Sequence, residues 1–243
     1  MALHPIFQEA PRSFGADDFT FRVRSGAQVN GLPVGLDAFR FTTGDPLVAQ
    51  DLADAYGGTP KEWETKSEEV WEVYSEAGSL DLIFETILSG FKQFGRNNQI
   101  VRECNGGSDD CFCIQQGWSK KEWKQAAKQG TACEPEVKLT FRLADNPDIG
   151  LGRFRSGADS LFAGDPHWLE GKMEDGRVWQ PPISTIEGQL ADHGGRATGT
   201  LEIVKVSYKV NKGTPAEKTN TYSKPFVTIT GPVHEAVEAL LPA

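Results

Sequence analysis

Basic runs are missing from this sequence. Lysine and arginine total 25 against 34 aspartates and glutamates, for a formal net charge of −9. Non-specific grip on a phosphate backbone needs clustered cations, so this balance argues against a protein whose main task is binding nucleic acid alone. No stretch of about eighteen consecutive apolar residues occurs, and no membrane span is expected. The opening residues MALHPIFQEAPRS lack the basic and apolar regions of a secretory signal, so a cytoplasmic location is expected. Histidine is scarce: His4, His167, His193 and His234 stand apart from one another, in none of the paired spacings that hold a catalytic metal. Phosphate-cradling glycine loops are absent as well. Carboxylate pairs such as Asp51 with Asp54, or Asp109 with Asp110, are what any acidic chain offers by chance. These absences point away from an enzyme.

What is present suits a folded protein. At 38% hydrophobic and 24% charged residues over 243 positions, the chain can bury a sizeable core. Residues 1–18 read as an irregular N-terminal arm. Leu36 to Thr42 alternates as a strand. Asp45 and Pro46 make an N-cap and first-turn pair for a helix carrying Val48, Leu52, Ala55 and Tyr56, stopped by Gly57 and Gly58. Val70 to Tyr74 and Leu80 to Phe84, separated by Ala77, Gly78 and Ser79, suggest a hairpin. Val137, Leu139, Phe141 and Leu143 alternate with Lys138, Thr140 and Arg142, the cleanest half-buried strand in the chain. Gly152 to Arg155 follows as a shorter one.

Helical signals then take over. Asp165 with Pro166 resembles a helix start, and Ser184 with Glu187 has capping-box spacing ahead of Leu190 and the Gly194, Gly195 stop. Strands return at Leu201 to Val210 and Pro225 to Thr230 around an exposed loop, Asn211 to Asn220. Pro232 precedes a short helix bearing Val233, Val237, Leu240 and Leu241. Strands and helices intersperse without a βαβ rhythm, which predicts an α+β fold with mostly antiparallel sheet and short helices. The expected division is an arm (1–18), an N-terminal α+β part (19–95), an insert (96–135) and a C-terminal α+β part (136–243), the two α+β parts being able to form one compact unit.

The insert holds all four cysteines, Cys104, Cys111, Cys113 and Cys133, spaced C-x6-C-x-C-x19-C. Four thiolates match the closed tetrahedral shell of a structural zinc ion, which leaves no position for a reactive water. Buried free thiols and disulfides are the competing readings, the second disfavoured in a reducing compartment. Gly106, Gly107 and Ser108 let the chain fold back. Ser119 and Glu122 form a capping-box pair opening a helix of about eleven residues that Gly130 ends, long enough at about 1.5 Å per residue to return Cys133 to the other three.

Six tryptophans and an acidic cluster complete the inventory. Most of the tryptophans read as packing residues, but Trp168 lies in the turn-rich GDPHWLEG and is a candidate interface anchor. Glu62, Glu64, Glu68, Glu69, Glu72 and Glu76 form either a solvated face or a surface complementing a basic protein.

The segment FRVRSGAQVNGLPVGLDAFRFTTGD (Phe21 to Asp45), the helix with Ala55 to Gly58, the stretch LSGFKQFGRNNQIVREC, the C-x-C element, the later cysteine, VKLTFRLADNPDIGLGRFRS and GTLEIVKVSYK together resemble recombination directionality factors of actinobacterial, Streptomyces-type phages. Nearly the whole chain takes part; Ile114 stands where relatives commonly have proline. The resemblance implies a non-catalytic protein of the bacterial host cytoplasm that contacts a large serine integrase near its coiled-coil and zinc-ribbon region. By that contact it turns the integrase from integration to excision, meeting DNA only through the integrase. Phe91, Phe94, Trp168 and Leu169 are the apolar residues nominated for the contact. A zinc-containing nucleic-acid-binding or transcriptional regulator is the alternative, and a phage hydrolase or nuclease a third.

Overall fold

The computed structural model describes residues 15, 18–30, 32–95, 99–104, 112–165, 179–211, 213–234 and 241, with the side chains of 33, 104, 114, 120 and 208 left out. Its elements run β1 (Phe19–Val29), β2 (Leu32–Thr43), α1 (Pro46–Tyr56), β3 (Lys61–Glu62), β4 (Trp71–Tyr74), β5 (Ser79–Phe94), β6 (Ile100–Cys104), α2 (Phe112–Gln115) and α3 (Lys120–Lys128). They continue with β7 (Glu134–Leu143), a 3-10 turn at Pro147–Ile149, β8 (Leu151–Ser156), α4 (Asp159–Phe162), α5 (Ile183–Asp192), β9 (Ala197–Val210) and β10 (Lys218–Pro232). The fold is α+β, and among the described residues all but one of the strand pairings are antiparallel, as the sequence suggested.

Five strand positions close on themselves. β1 pairs with β2, β2 with β4, β5 with β7, β7 with β8, and β8 returns to β1. β4 and β5 behave as one long bent strand. Between them the Ser75 N–H donates to the Phe39 carbonyl at 2.9 Å and the Phe39 N–H to the Ala77 carbonyl at 3.2 Å, which extends the pairing with β2. At the bend the Ile203 N–H donates to the Gly78 carbonyl at 2.8 Å, handing β5 on to β9. An up-and-down ring with an odd number of strands brings its first and last strands together in the same direction. That is why β1 and β8 form the parallel pair.

Alternation fills this ring. Phe21 and Val23 of β1, Phe39 and Phe41 of β2, Val73 of β4, Leu139 and Phe141 of β7 and Phe154 of β8 are all buried in a single core with Leu52 of α1. Phe21 meets Phe41 and Phe141 edge-on at 6.1 and 6.2 Å. Each such ring contributes about 1.5–3 kcal/mol by leaving water. Gly152 makes the aromatic packing possible: a Cβ there would lie 2.5 Å from the Phe21 ring and 2.7 Å from Phe141.

β5 is covered on both faces, and every residue from Leu82 to Ile87 is buried. α5 packs on it through Ile183, Ile186 and Leu190, one helical stripe. The polar group inside this layer, Glu85, accepts from Arg196 Nε at 3.0 Å and from Arg142 Nε at 3.3 Å. β9 and β10 form a long hairpin attached to the first half of β5.

Several local expectations hold. Asp45 caps α1 by accepting from the Leu47 N–H at 2.8 Å, and Gly57 ends the helix at φ +77. Others are corrected. The Val70 to Phe84 hairpin does not form, because β4 takes β2 as its partner while β5 takes β7 and β9. Ser184 does not cap α5, which begins at Ile183 with Pro182 at the cap and no side-chain bond there; Glu187 instead engages Ser89 of β5. The loop between β9 and β10 spans only Asn211 to Glu217, since Lys218 already pairs with Val210. β1 was not anticipated at all. The helices expected from Pro166 and after Pro232 fall largely on residues outside those described.

Candidate functional site

The insert leaves the body at the far end of β5 and returns at the start of β7. Phe91 sits between Cys104 of β6 on one side and Pro135 of β7 on the other. Two residues before Cys104, the Arg102 guanidinium lies 3.9 Å from the centre of the Phe112 ring, and Phe112 meets Trp118 edge-on at 5.9 Å. This stack holds α2, and with it Cys113, against the strand that ends in Cys104.

α3 brings the last cysteine back. Ser119 and Glu122 cap it reciprocally: the Ser119 N–H donates to Glu122 Oε2 at 2.8 Å, and the Glu122 N–H donates to Ser119 Oγ at 3.4 Å. The Ser119 hydroxyl and backbone N–H hold the Glu122 carboxyl below its ordinary value. Gly130 follows the helix at φ +70, and its carbonyl accepts from Gln93 Nε2 of β5 at 2.8 Å. Ala132 and Cys133 then turn inward, each 1% exposed. The Cys133 N–H donates to Cys113 Sγ at 3.3 Å.

Cys113 and Cys133 are thus together, with the backbone of Cys104 at the same end of β5; Cys111 lies outside the described residues. Among the described residues no group of three or more potential ligand side chains converges. The donor set fits zinc on one physical ground: a backbone N–H directed at a cysteine sulfur is the outer-shell contact that stabilises a bound thiolate.

Of the nominated contact residues, Phe91 is half-buried and packs edge-on against Trp123 of α3 at 6.0 Å and Phe162 of α4 at 4.6 Å. It joins the insert to the body. Phe94 is half-buried at the end of β5. Trp168 and Leu169 lie outside the described residues. The chain flanking them is firmly held: the Asp165 carboxylate, buried against Lys224 Nζ of β10, accepts from the Gln180 N–H at 2.9 Å, and the Asp165 N–H donates to the Gln180 carbonyl at 2.8 Å.

One group of residues escaped the sequence reading. Arg22, Arg24, Arg153 and Arg155 share a cleft on the outside of the ring. The repeated F-R alternation in FTFRVR and LGRFRS was the available signal. No helix among the described residues is long and apolar enough to cross a membrane.

No solved structure matches this chain. A family model described as Gp3-like, recombination directionality factor-like, matches residues 21–161. That span runs from β1 to α4 and takes in every strand of the ring and the whole cysteine insert. The protein belongs to this Gp3-like, recombination directionality factor-like family.

Proposed function

We propose that this protein binds a large serine integrase and turns it from integration to excision, favouring recombination of hybrid attL and attR sites and inhibiting the integrative reaction. The observation that carries the reading is the family match over the ring and insert together. The action is one of contact. An integrase with two arrangements of its coiled coils is redirected only by a factor that binds one arrangement better, and a preference of about 3 kcal/mol shifts the ratio by more than a hundredfold. A stable contact of this kind buries on the order of 1,200–2,000 Å². Its proposed position on the integrase is near the coiled-coil and zinc-ribbon region, with Phe91, Phe94, Trp168 and Leu169 as the contact residues, Phe91 also packing against α3. DNA is met through the integrase, in the bacterial cytoplasm.

Within this reading Cys104, Cys111, Cys113 and Cys133 hold one structural zinc ion. The metal fixes the insert against β5 and takes no part in chemistry. The deciding experiment is recombination in vitro with the cognate integrase, scored on attL with attR and on attP with attB. Added protein is expected to promote the first and suppress the second. Hybrid sites left unrecombined overturn the proposal.

A further inference from the structure

The outward face of the ring carries cations that the integrase reading does not use. Alternation puts Phe21 and Val23 inside β1 and Arg22 and Arg24 outside it; on β8 it puts Phe154 inside and Arg153 and Arg155 outside. The parallel pairing sets Arg22 beside Arg153. Strands about 4.8 Å apart and a two-residue rise of about 6.7 Å then gather four guanidiniums round one cleft of about 380 Å³, lined also by Ser25 and Gly26.

Among the described residues counter-charge is insufficient. Glu69 reaches Arg22 and Arg24, the second at 3.3 Å, and Glu136 reaches Arg155. Glu136 is itself shared with Lys92 at 3.2 Å and Lys138 at 3.3 Å. Among the described residues the four guanidiniums pair with two carboxylates, one of them shared with two lysines, which leaves a surplus of at least two positive charges. Arg153 carries the clearest part of it. Its guanidinium lies 4.5 Å from the centre of the Phe19 ring, and its Nε is buried with no hydrogen-bond partner among the described residues. Burial first, and then the Arg22 cation, pulls the Arg153 guanidinium below its ordinary value; Arg155 is shifted the same way by burial, Arg22 and Arg24. Crowding of this kind is unfavourable until an anion enters.

We propose that the cleft binds a phosphate-type dianion, with Arg153 as its central ligand and Arg24 and Arg155 beside it. A dianion matches the surplus charge, and a tetrahedral group offers enough oxygens for several guanidinium forks; a single carboxylate brings one charge and two oxygens. The phosphate has two available sources: a free phosphate compound, which brings two charges on one group, or the backbone of a nucleic acid, which brings them on two neighbouring phosphodiesters of one charge each. The net charge of −9 opposes general DNA affinity but does not cancel a local site of this geometry.

The test is titration calorimetry of the full chain, at matched ionic strength, with inorganic phosphate, pyrophosphate, a short DNA duplex and a polyglutamate peptide. Saturable one-site binding of a phosphate ligand is expected, weakened about tenfold in Arg153→Gln, as befits loss of a charge-assisted hydrogen bond. Arg155→Gln provides the same readout if the first variant misfolds by circular dichroism. Binding of the duplex with the same arginine dependence assigns the source to nucleic acid; binding of phosphate or pyrophosphate without the duplex assigns it to a free compound. Three results overturn the inference: no saturable binding of any phosphate ligand, binding indifferent to both substitutions, or tighter arginine-dependent binding of polyglutamate. Integrase contact is not an ingredient of this test, so its outcome is independent of the recombination assay.

Discussion

The backbone N–H of Cys133 donates to the sulfur of Cys113 at 3.3 Å, across a turn that α3 and Gly130 build. A backbone N–H directed at a cysteine sulfur is the outer-shell contact that supports a metal-bound sulfur. Purified protein is therefore expected to hold one zinc per chain by elemental analysis. Cys113→Ser and Cys133→Ser should each bring the metal content to background and loosen α2 and α3, while the ring, whose core lies among β1, β2, β4, β5, β7 and β8, stays folded. A folded, integrase-competent preparation without metal contradicts the assignment.

Glu85 is the shared counterion of two arginines, Arg196 buried and Arg142 partly so. Its side chain is 2% exposed, that of Arg196 7% and that of Arg142 12%. Removing the carboxylate leaves two cations facing each other in the layer between the ring and α5. Glu85→Gln is expected to destabilise the fold by about 3–5 kcal/mol, the usual cost of stranding a buried charge. Urea unfolding measures this, and a loss under about 1 kcal/mol would show the arginines to be solvated instead.

Asp165 and Lys224 form a second buried pair, and it clasps both ends of the segment that carries Trp168. Lys224 is 3% exposed and Asp165 9%. Gln180 completes the clasp, accepting the Val227 N–H at 2.8 Å. Lys224→Met alone strands Asp165 and should cost about 3 kcal/mol, whereas Lys224→Met with Asp165→Leu removes both charges and should recover part of that loss. Additive losses in urea unfolding would show that the two residues do not act as a pair. If the segment contacts integrase, Lys224→Met should also weaken excision without touching any nominated anchor.

What the sequence disclosed was local chemistry. Asp45 and Gly57 bound α1, Ser119 and Glu122 bound α3, and Val137 to Leu143 alternates; each signal is complete within a few neighbouring residues. Partner choice was hidden. Ala77, Gly78 and Ser79 do mark a change of direction, but the strands they separate pair elsewhere, because β2 and β9 outcompete the nearest neighbour. Spacing alone also misplaced the α5 cap: Ser184 and Glu187 stand correctly apart, yet Pro182 starts the helix early and Glu187 turns to Ser89. The cysteines were legible as a group because they crowd one window. The arginine cleft was not, since it exists only once β1 and β8 meet from opposite ends of the fold.

The cap of α3 should respond to acid. Glu122 Oε2 accepts from Ser119 N–H and Ser119 Oγ, at 2.8 and 2.6 Å, and these bonds lower its carboxyl from an ordinary value of 4.5. A carboxyl depressed in the folded state adds stability above its unfolded value, and that addition disappears as pH falls through the folded one. The helix is thus expected to hold at neutral pH and to fray below pH 4.5, visible as a drift of the Lys120–Lys128 Cα shifts toward coil values. Glu122→Gln keeps an acceptor oxygen at the third helical position but has no charge to lose, so its shifts should stay level over the same range. The difference between the two titrations isolates the cap, and coincident curves would show that the acid response does not come from Glu122.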